Sequence, residues 1–283
     1  MDIRLQGDQI GVQVSGVDLR AIDDAQFARI YRAWLDHNVL VVTGQTLTID
    51  DFLVYSRRFG IVTPHPSKST RHPDYPDITL LGVNKFNADG KLNEAIYRRG
   101  AEGWHTDGAY DPVPFKATQL YGIAIPDTGG DTLFASGYAA YEALPDRLKT
   151  RLDEALGGFT YGGRRQSTAL LNPEDRARPP AMHRIVRTHA ETRRKSLYFD
   201  PGKILFVEGA EKQESDDLIE ELTTYMIQPL GQYRHKWSVG DVVIWDNRCS
   251  YHKAAGDYPP DQDRIHWRVS IQEFPAERQM AAE

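Results

Sequence analysis

A histidine and an aspartate stand two apart in Gly103-Trp104-His105-Thr106-Asp107-Gly108. On an extended backbone, residues i and i+2 project to the same face. The imidazole and the carboxylate can therefore grip one cation side by side. Such a pair recurs by chance and carries weight only with a third ligand. The stretch from Asp241 to His252 offers one: an apolar strand runs into the polar turn Asp246-Asn247-Arg248 and delivers His252 at its end. Two imidazoles and one carboxylate leave positions open on an octahedral ion and suit Fe(II) better than thiolates would. A structural zinc is the alternative, but it would want a fourth protein ligand, and His266 is the one candidate near either motif. Two arginines, Arg264 and Arg268, follow His252 at a spacing that puts both on one side of a strand. A guanidinium fork matches a carboxylate bidentately. The other use for this pair is surface solubility, or salt bridges to Asp261 and Asp263.

These groups need a scaffold that brings His252 back to His105, 147 positions earlier in the chain. The opening residues alternate as a strand (Ile10, Val12, Val14) until Gly16. The pattern predicts a helix over 23–36, capped by Asp23 or Asp24, with Phe27, Ile30, Tyr31 and Trp34 as its apolar stripe. A short buried strand over 39–42 follows. A second helix, over 48–59, opens on a capping-box-like Thr48-Ile-Asp-Asp51. Further strands are expected over 78–83, 117–125, 132–135, 196–199 and 241–245, separated by Gly, Pro and Asp clusters. Helices are expected over 137–155, with a break at Pro145, and over 215–227. Residues 161–183 read as a long loop of the kind that covers active sites. Many short strands with helices at the front and flank predict a mostly β fold built on a two-sheet core.

The chain has 283 residues, 40% hydrophobic and 26% charged, with a net charge of −6. It can bury a core without staples and reads as one domain over 1–283. The acidic balance argues against a nucleic-acid surface. A single cysteine, Cys249, cannot form an internal disulfide and suits a reducing compartment. No leader pattern and no bilayer-length apolar run stand in the sequence, so a cytoplasmic location is expected, without a membrane partner.

Trp104-His105-Thr106-Asp107, Gly129-Gly130-Asp131-Thr132, Trp245-Asp246-Asn247-Arg248 with His252, and Arg264-Ile265-His266-Trp267-Arg268 stand in this order. Together they resemble the taurine dioxygenase/aryloxyacetate dioxygenase (TauD/TfdA) family of Fe(II)- and 2-oxoglutarate-dependent oxygenases. Gly16-Val-Asp-Leu19 and Arg58-Phe-Gly60 with His65-Pro66 extend the resemblance over nearly the whole chain. The resemblance implies a double-stranded β-helix, the jelly-roll or cupin-like core. It implies Fe(II) on His105, Asp107 and His252, with 2-oxoglutarate and O2 as co-substrates. Arg264, helped by the Thr132 hydroxyl, would hold the distal carboxylate of 2-oxoglutarate. Arg268 would meet the acidic group of the primary substrate, with His65 in the same anion pocket.

Asn84, Tyr97 and Trp104 are further candidates for the substrate pocket, although aromatics at such places are more often core. Arg98 and Arg99 add positive charge near its mouth. Asp246, Asn247 and Arg248 read as architectural, a turn that aims His252, and Gly129-Gly130-Asp131 as a tight turn. The implied reaction hydroxylates a small anionic substrate, a sulfonate, an aryloxyalkanoate or a similar carboxylate. C–S or C–O cleavage follows where the hydroxylated carbon bears the heteroatom. Amino-acid or natural-product hydroxylation is a variant inside the family. The competing readings are a metal-binding cupin-like protein without oxygen chemistry and a non-catalytic family member. Relatives imply a homo-oligomer, a dimer or a tetramer. Specificity is expected to lie in the loops 85–103 and 161–183.

Overall fold

The computed structural model describes residues 1–65, 68–83, 85–97, 100, 103–163 and 178–274. Its N-terminal part runs β1 (Asp2–Leu5), β2 (Val12–Ser15), α1 (Asp24–His37), β3 (Val39–Val42), α2 (Ile49–Ser56), β4 (Ile61–Thr63) and β5 (Thr79–Leu81). The middle follows with α3 (Glu94–Tyr97), β6 (Ala117–Ala124), β7 (Thr132–Ser136), α4 (Gly137–Ala143), α5 (Asp146–Leu152), β8 (Leu156–Phe159), β9 (Ala181–Arg184), β10 (Val186–Thr188) and β11 (Lys195–Leu197). The chain then forms β12 (Ile204–Val207), α6 (Lys212–Tyr225), β13 (Gln232–His235), β14 (Val242–Asp246), β15 (Ser250–Ala254) and β16 (Ile265–Gln272).

One sheet is ordered β1-β2-β3-β14-β6-β16-β4, with β5 also on β16, and a second is ordered β13-β7-β15. β3 is apolar at every position and β14 at all but its last, Asp246, because both their faces are covered. Leu40, Val42, Val242 and Ile244 pack against Ile30 and Trp34 of α1 and Phe52 of α2. Val39, Val41, Val243 and Trp245 meet Phe134 of the second sheet. On the far side of that sheet, Ala135 and Tyr251 join a core built with α4, α5 and α6. The architecture is thus mostly β, a two-sheet cupin-like core with helices outside. No helix among the described residues is long and apolar enough to cross a membrane.

Local chemistry explains most element ends. Asp23 caps α1 and Thr48 caps α2, each with a reciprocal bond from the third helical residue. The helix expected to 59 stops at Ser56, because Arg58 and Phe59 tighten onto Tyr55 and Ser56 in the next turn. The helix expected over 137–155 is two helices, since Pro145 cannot donate and becomes the N-cap of α5. The strand expected over 78–83 is cut to β5 by Gly82, at φ 81. A Cβ at that glycine would lie 1.8 Å from the Arg264 carbonyl oxygen, so the close pairing there requires glycine. Residues 181–183 of the expected loop belong to β9, paired with β8. Residues 164–177 of that loop lie outside the described residues, and β1 was not anticipated.

Candidate active site

His105 and His252 exchange two backbone hydrogen bonds, His105 N to His252 O at 3.1 Å and His252 N to His105 O at 2.9 Å. This one-residue bridge sets the two rings 4.2 Å apart. The strand expected through Asp107 does not form: Gly108, at φ 75, turns the chain just after it. The turn is fixed by Thr106 Oγ1, which donates to Asn247 O at 2.8 Å, and by Asp107 N, which donates to Asn247 Oδ1 at 3.3 Å. Asp107 still joins the two histidines, and one ligand atom from each of the three lies within 4.8 Å of the others.

The protonation of the three groups fits a divalent cation. His105 Nδ1 lies 3.0 Å from the Gly103 carbonyl, which can only accept, so that nitrogen carries the proton and Nε2 keeps its lone pair. Burial drives the pKa of His252 well below the usual histidine value and keeps the ring neutral. Burial opposes ionisation of Asp107, but the Arg268 charge and the Thr118 hydrogen bond outweigh it and hold the carboxyl well below the usual range. Its Oδ2 accepts from Thr118 Oγ1 at 2.7 Å and lies 3.0 Å from an Arg268 guanidinium nitrogen. Asn247 Nδ2 in turn donates to Thr118 Oγ1 at 2.9 Å, and Trp245 Nε1 donates to Asn247 Oδ1 at 3.0 Å. Asn247 therefore does more than shape a turn: it is the hub that orients Asp107. His266 is not in the cluster, so the fourth ligand that a structural zinc would want does not come from it.

A second polar group forms around Arg264. Arg264 Nε donates to Gly130 O at 2.6 Å and an Arg264 terminal nitrogen donates to Thr132 Oγ1 at 3.1 Å. Trp237 Nε1 also donates to Thr132 Oγ1, at 3.0 Å. With two donors directed at its oxygen, the Thr132 hydroxyl keeps its own hydrogen for an outside acceptor. Gly129 and Gly130, at φ 71 and 72, form the tight turn that brings the carbonyl to Arg264. The nearest acids, Asp131 and Asp257, are paired with Arg234 at 2.6 and 3.0 Å, and Asp263 is paired with Lys85. Arg264 has no carboxylate at ion-pair distance among the described residues, and burial pulls its pKa down to about 10. A partly buried guanidinium without an acid calls for an anionic ligand. Neither arginine makes the surface salt bridge to Asp261 or Asp263 that the sequence left open.

The other predicted residues have the following surroundings. His65 sits in the β4–β5 connection, where Arg71 Nε donates to its carbonyl at 2.7 Å and Thr70 Oγ1 lies 3.4 Å from its Nδ1. Tyr97 packs its ring 4.8 Å from Tyr258, and its hydroxyl donates to the Tyr258 carbonyl. That places Tyr97 on the Arg264 side of the site. Trp104 is half-buried against the α4–α6 core. Asn84, Arg98 and Arg99 lie outside the described residues. Tyr110, which the sequence reading passed over, is half-buried, close enough to Arg268 and Asp107 to feel their charges, and packs edge-on to Tyr161 at 4.9 Å.

His189, Asp246 and Cys249 form a second cluster of potential ligands. There, His189 Nδ1 accepts from the backbone N–H groups of Glu191 and Thr192 at 3.2 and 3.1 Å. Its proton is therefore on Nε2, which donates to Asp246 at 3.0 Å. Asp246 is further saturated by Arg248. Both nitrogens of His189 and both oxygens of Asp246 are thus engaged within a structural network.

Comparison with known proteins agrees with the geometry. The model of the taurine catabolism dioxygenase TauD, TfdA family matches residues 2–270. An (S)-phenoxypropionate/alpha-ketoglutarate-dioxygenase from Sphingobium herbicidovorans is 31% identical over 94% of this chain and 93% of its own length. An alpha-ketoglutarate-dependent 2,4-dichlorophenoxyacetate dioxygenase from Cupriavidus pinatubonensis is 32% identical over 85% of this chain and 87% of its own. The crystal structure of AAD-2 in complex with Mn(II) and N-oxalylglycine superposes with a TM-score of 0.81 at 28% identity, over 96% of this chain and 98% of the other. With a His-Asp-His centre and a family match over nearly its whole length, the chain belongs to the TauD/TfdA family of dioxygenases.

Proposed function

We propose that this dioxygenase hydroxylates a small organic anion, holding Fe(II) with His105, Asp107 and His252. Arg264 and Thr132 hold 2-oxoglutarate, and Arg268 pairs with the acidic group of the primary substrate. The observation that carries the reading is the convergence of three metal-competent groups within 4.8 Å of one another, with Arg268 3.0 Å from the Asp107 carboxylate and, four residues earlier in the chain, an Arg264 without an acid. Fe(II) with 2-oxoglutarate and O2 supplies the oxidation, in which the oxo acid becomes succinate and carbon dioxide and one oxygen atom enters a substrate C–H bond.

The chain's own residues set up that chemistry. Thr118 and Asn247 hold the Asp107 carboxylate in place, and Gly103 fixes the tautomer of His105. The rings of Trp245 and Phe134 cover His252 at 4.5 and 6.4 Å and keep water from it. Arg268 sits where an anionic substrate would place its reactive carbon against the centre. Aryloxyalkanoates are the first class to try, because the named relatives act on them and Tyr110 and Tyr161 offer aromatic faces beside Arg268. Hydroxylation next to an ether oxygen gives a hemiacetal, which splits to a carbonyl compound and the free phenol. Sulfonates would split in the same sense, releasing sulfite. A metal-binding protein without oxygen chemistry has no use for an anion anchor at Arg264.

A panel of aryloxyalkanoates, sulfonates, sulfate esters and amino acids, scored by succinate release with Fe(II) and 2-oxoglutarate, tests this reading. Turnover tied to one class and abolished in His105→Ala supports it, and full activity in His105→Ala refutes it. We further propose a single catalytic unit, working in the cytoplasm as a homo-oligomer. The buried, unpaired Cys249 supports the reducing compartment, and light scattering of the purified protein reads the assembly.

A further inference from the structure

His266 of β16 lies between Arg264, just before the strand, and Arg268 within it, and has no role so far. Trp267, Val269 and Ile271 of that strand pack on the α1/α2 core. Strand alternation therefore turns His266 to the opposite face, the inner one, together with Arg268. Arg264, two residues earlier, reaches Gly130 and Thr132 on the same inner side. The imidazole is wholly buried. Trp237, whose indole N–H binds Thr132, packs against it at 4.4 Å. Neither ring nitrogen has a hydrogen-bond partner among the described residues.

An imidazole carries one N–H donor and one acceptor. Leaving both unmet in a closed pocket is costly, whereas an apolar side chain of similar size would fill the space without that cost. The cost makes sense if a ligand supplies the missing partner. Through Trp237 the ring adjoins Thr132, whose hydroxyl has a hydrogen to give and which meets the acid-free Arg264.

We propose that His266 is a co-substrate-binding residue, donating a hydrogen bond to a carboxylate oxygen of 2-oxoglutarate between Arg264 and the metal trio. The proposal rests on Arg264 being the 2-oxoglutarate anchor. Burial, then the positive charge of Arg264, keeps the imidazole neutral. It therefore gives a hydrogen bond without adding a further positive charge to a site that already holds two arginines.

The test is calorimetric titration of 2-oxoglutarate into Co(II)-loaded protein, comparing wild type with His266→Leu, His266→Gln and Arg264→Gln. A hydrogen bond to a carboxylate predicts that His266→Leu weakens binding about tenfold or more, with His266→Gln recovering part of the loss. Co(II) affinity stays within about twofold of wild type, because His266 is not a ligand. The metal-free His266→Leu protein melts no lower than wild type, since an orphaned polar group has been removed. In Zn(II)-loaded protein, the His266 ring nitrogen resonance shifts when 2-oxoglutarate is added, a readout that needs no variant to fold. Wild-type 2-oxoglutarate affinity in His266→Leu together with an unmoved resonance means a buried water only, and overturns the proposal. If Arg264→Gln alone weakens binding, the anchor reading stands and the His266 role falls. If Arg264→Gln binds as wild type does, the anchor reading falls and the proposal falls with it.

Discussion

Thr118→Val is the sharpest probe of how the metal centre is held. Thr118 is wholly buried on β6, directly opposite Trp245 of β14 and Ser270 of β16 in the ladder. Its hydroxyl receives the Asn247 amide and passes its own hydrogen to Asp107 Oδ2 at 2.7 Å. Valine keeps the shape and the strand preference, so the change removes the relay without opening a cavity. A hydrogen bond to a charged group contributes about 1.5–3 kcal/mol, and loss of an outer-shell partner typically weakens metal binding about 10- to 100-fold. Here Arg268, 3.0 Å from the same oxygen, still restrains the carboxylate. The lower end, about tenfold or 1.4 kcal/mol, is therefore the expected loss. Mn(II) or Co(II) titration of the metal-free protein by calorimetry measures it, with Thr118→Ser as the variant that keeps the hydroxyl. Unchanged affinity in Thr118→Val, in a protein that melts as wild type does, would show that Asp107 needs no outer partner, and the orientation argument would be wrong.

Other expectations follow from the same geometry. Arg268→Gln removes the cation meant for the substrate anion, so kcat/KM for that substrate falls about 10- to 100-fold while 2-oxoglutarate binding holds; steady-state kinetics with each reactant varied separates the two. Burial pushes the Asp200 carboxyl up from 3.8 to about 6, and one of its oxygens has no partner among the described residues. A raised acid adds stability only while protonated, so that share is present below the ordinary carboxylate range and is lost as pH rises through about 6. Asp200→Asn should thus stabilise the metal-free protein at pH near 7.5 by at most about 3 kcal/mol, with no gain at pH near 3.5; denaturant melts at the two pH values check the sign. Gly82→Ala forces a Cβ into the Arg264 carbonyl, which should cost about 1–3 kcal/mol in stability and weaken 2-oxoglutarate binding; a melt and a titration on one sample read both.

What the sequence made legible follows from what metal and anion chemistry demand of residue types. A cation needs imidazoles and a carboxylate, and a buried dicarboxylate needs a guanidinium. His105, Asp107, His252 and Arg264 therefore stand out in the bare sequence; the fold brings the first three together and sets Arg264 against Gly130 and Thr132. Thr118, Asn247 and His266 do not stand out, because their roles are set by which strands become neighbours. Thr118 meets Asp107 only because β6 lies beside β14, whose following turn carries Asn247. Periodicity marks each of these strands as buried, yet says nothing of the order β14-β6-β16. Tyr97 shows the same limit from the other side: its position before the metal motif pointed to the substrate, but a carbonyl at Tyr258 took its hydroxyl. His266 was visible as a histidine and as a neighbour of two arginines. Only the alternation of β16 against the α1/α2 core shows that it faces inward, and only the unpartnered nitrogens of its ring set it apart from an ordinary packed histidine.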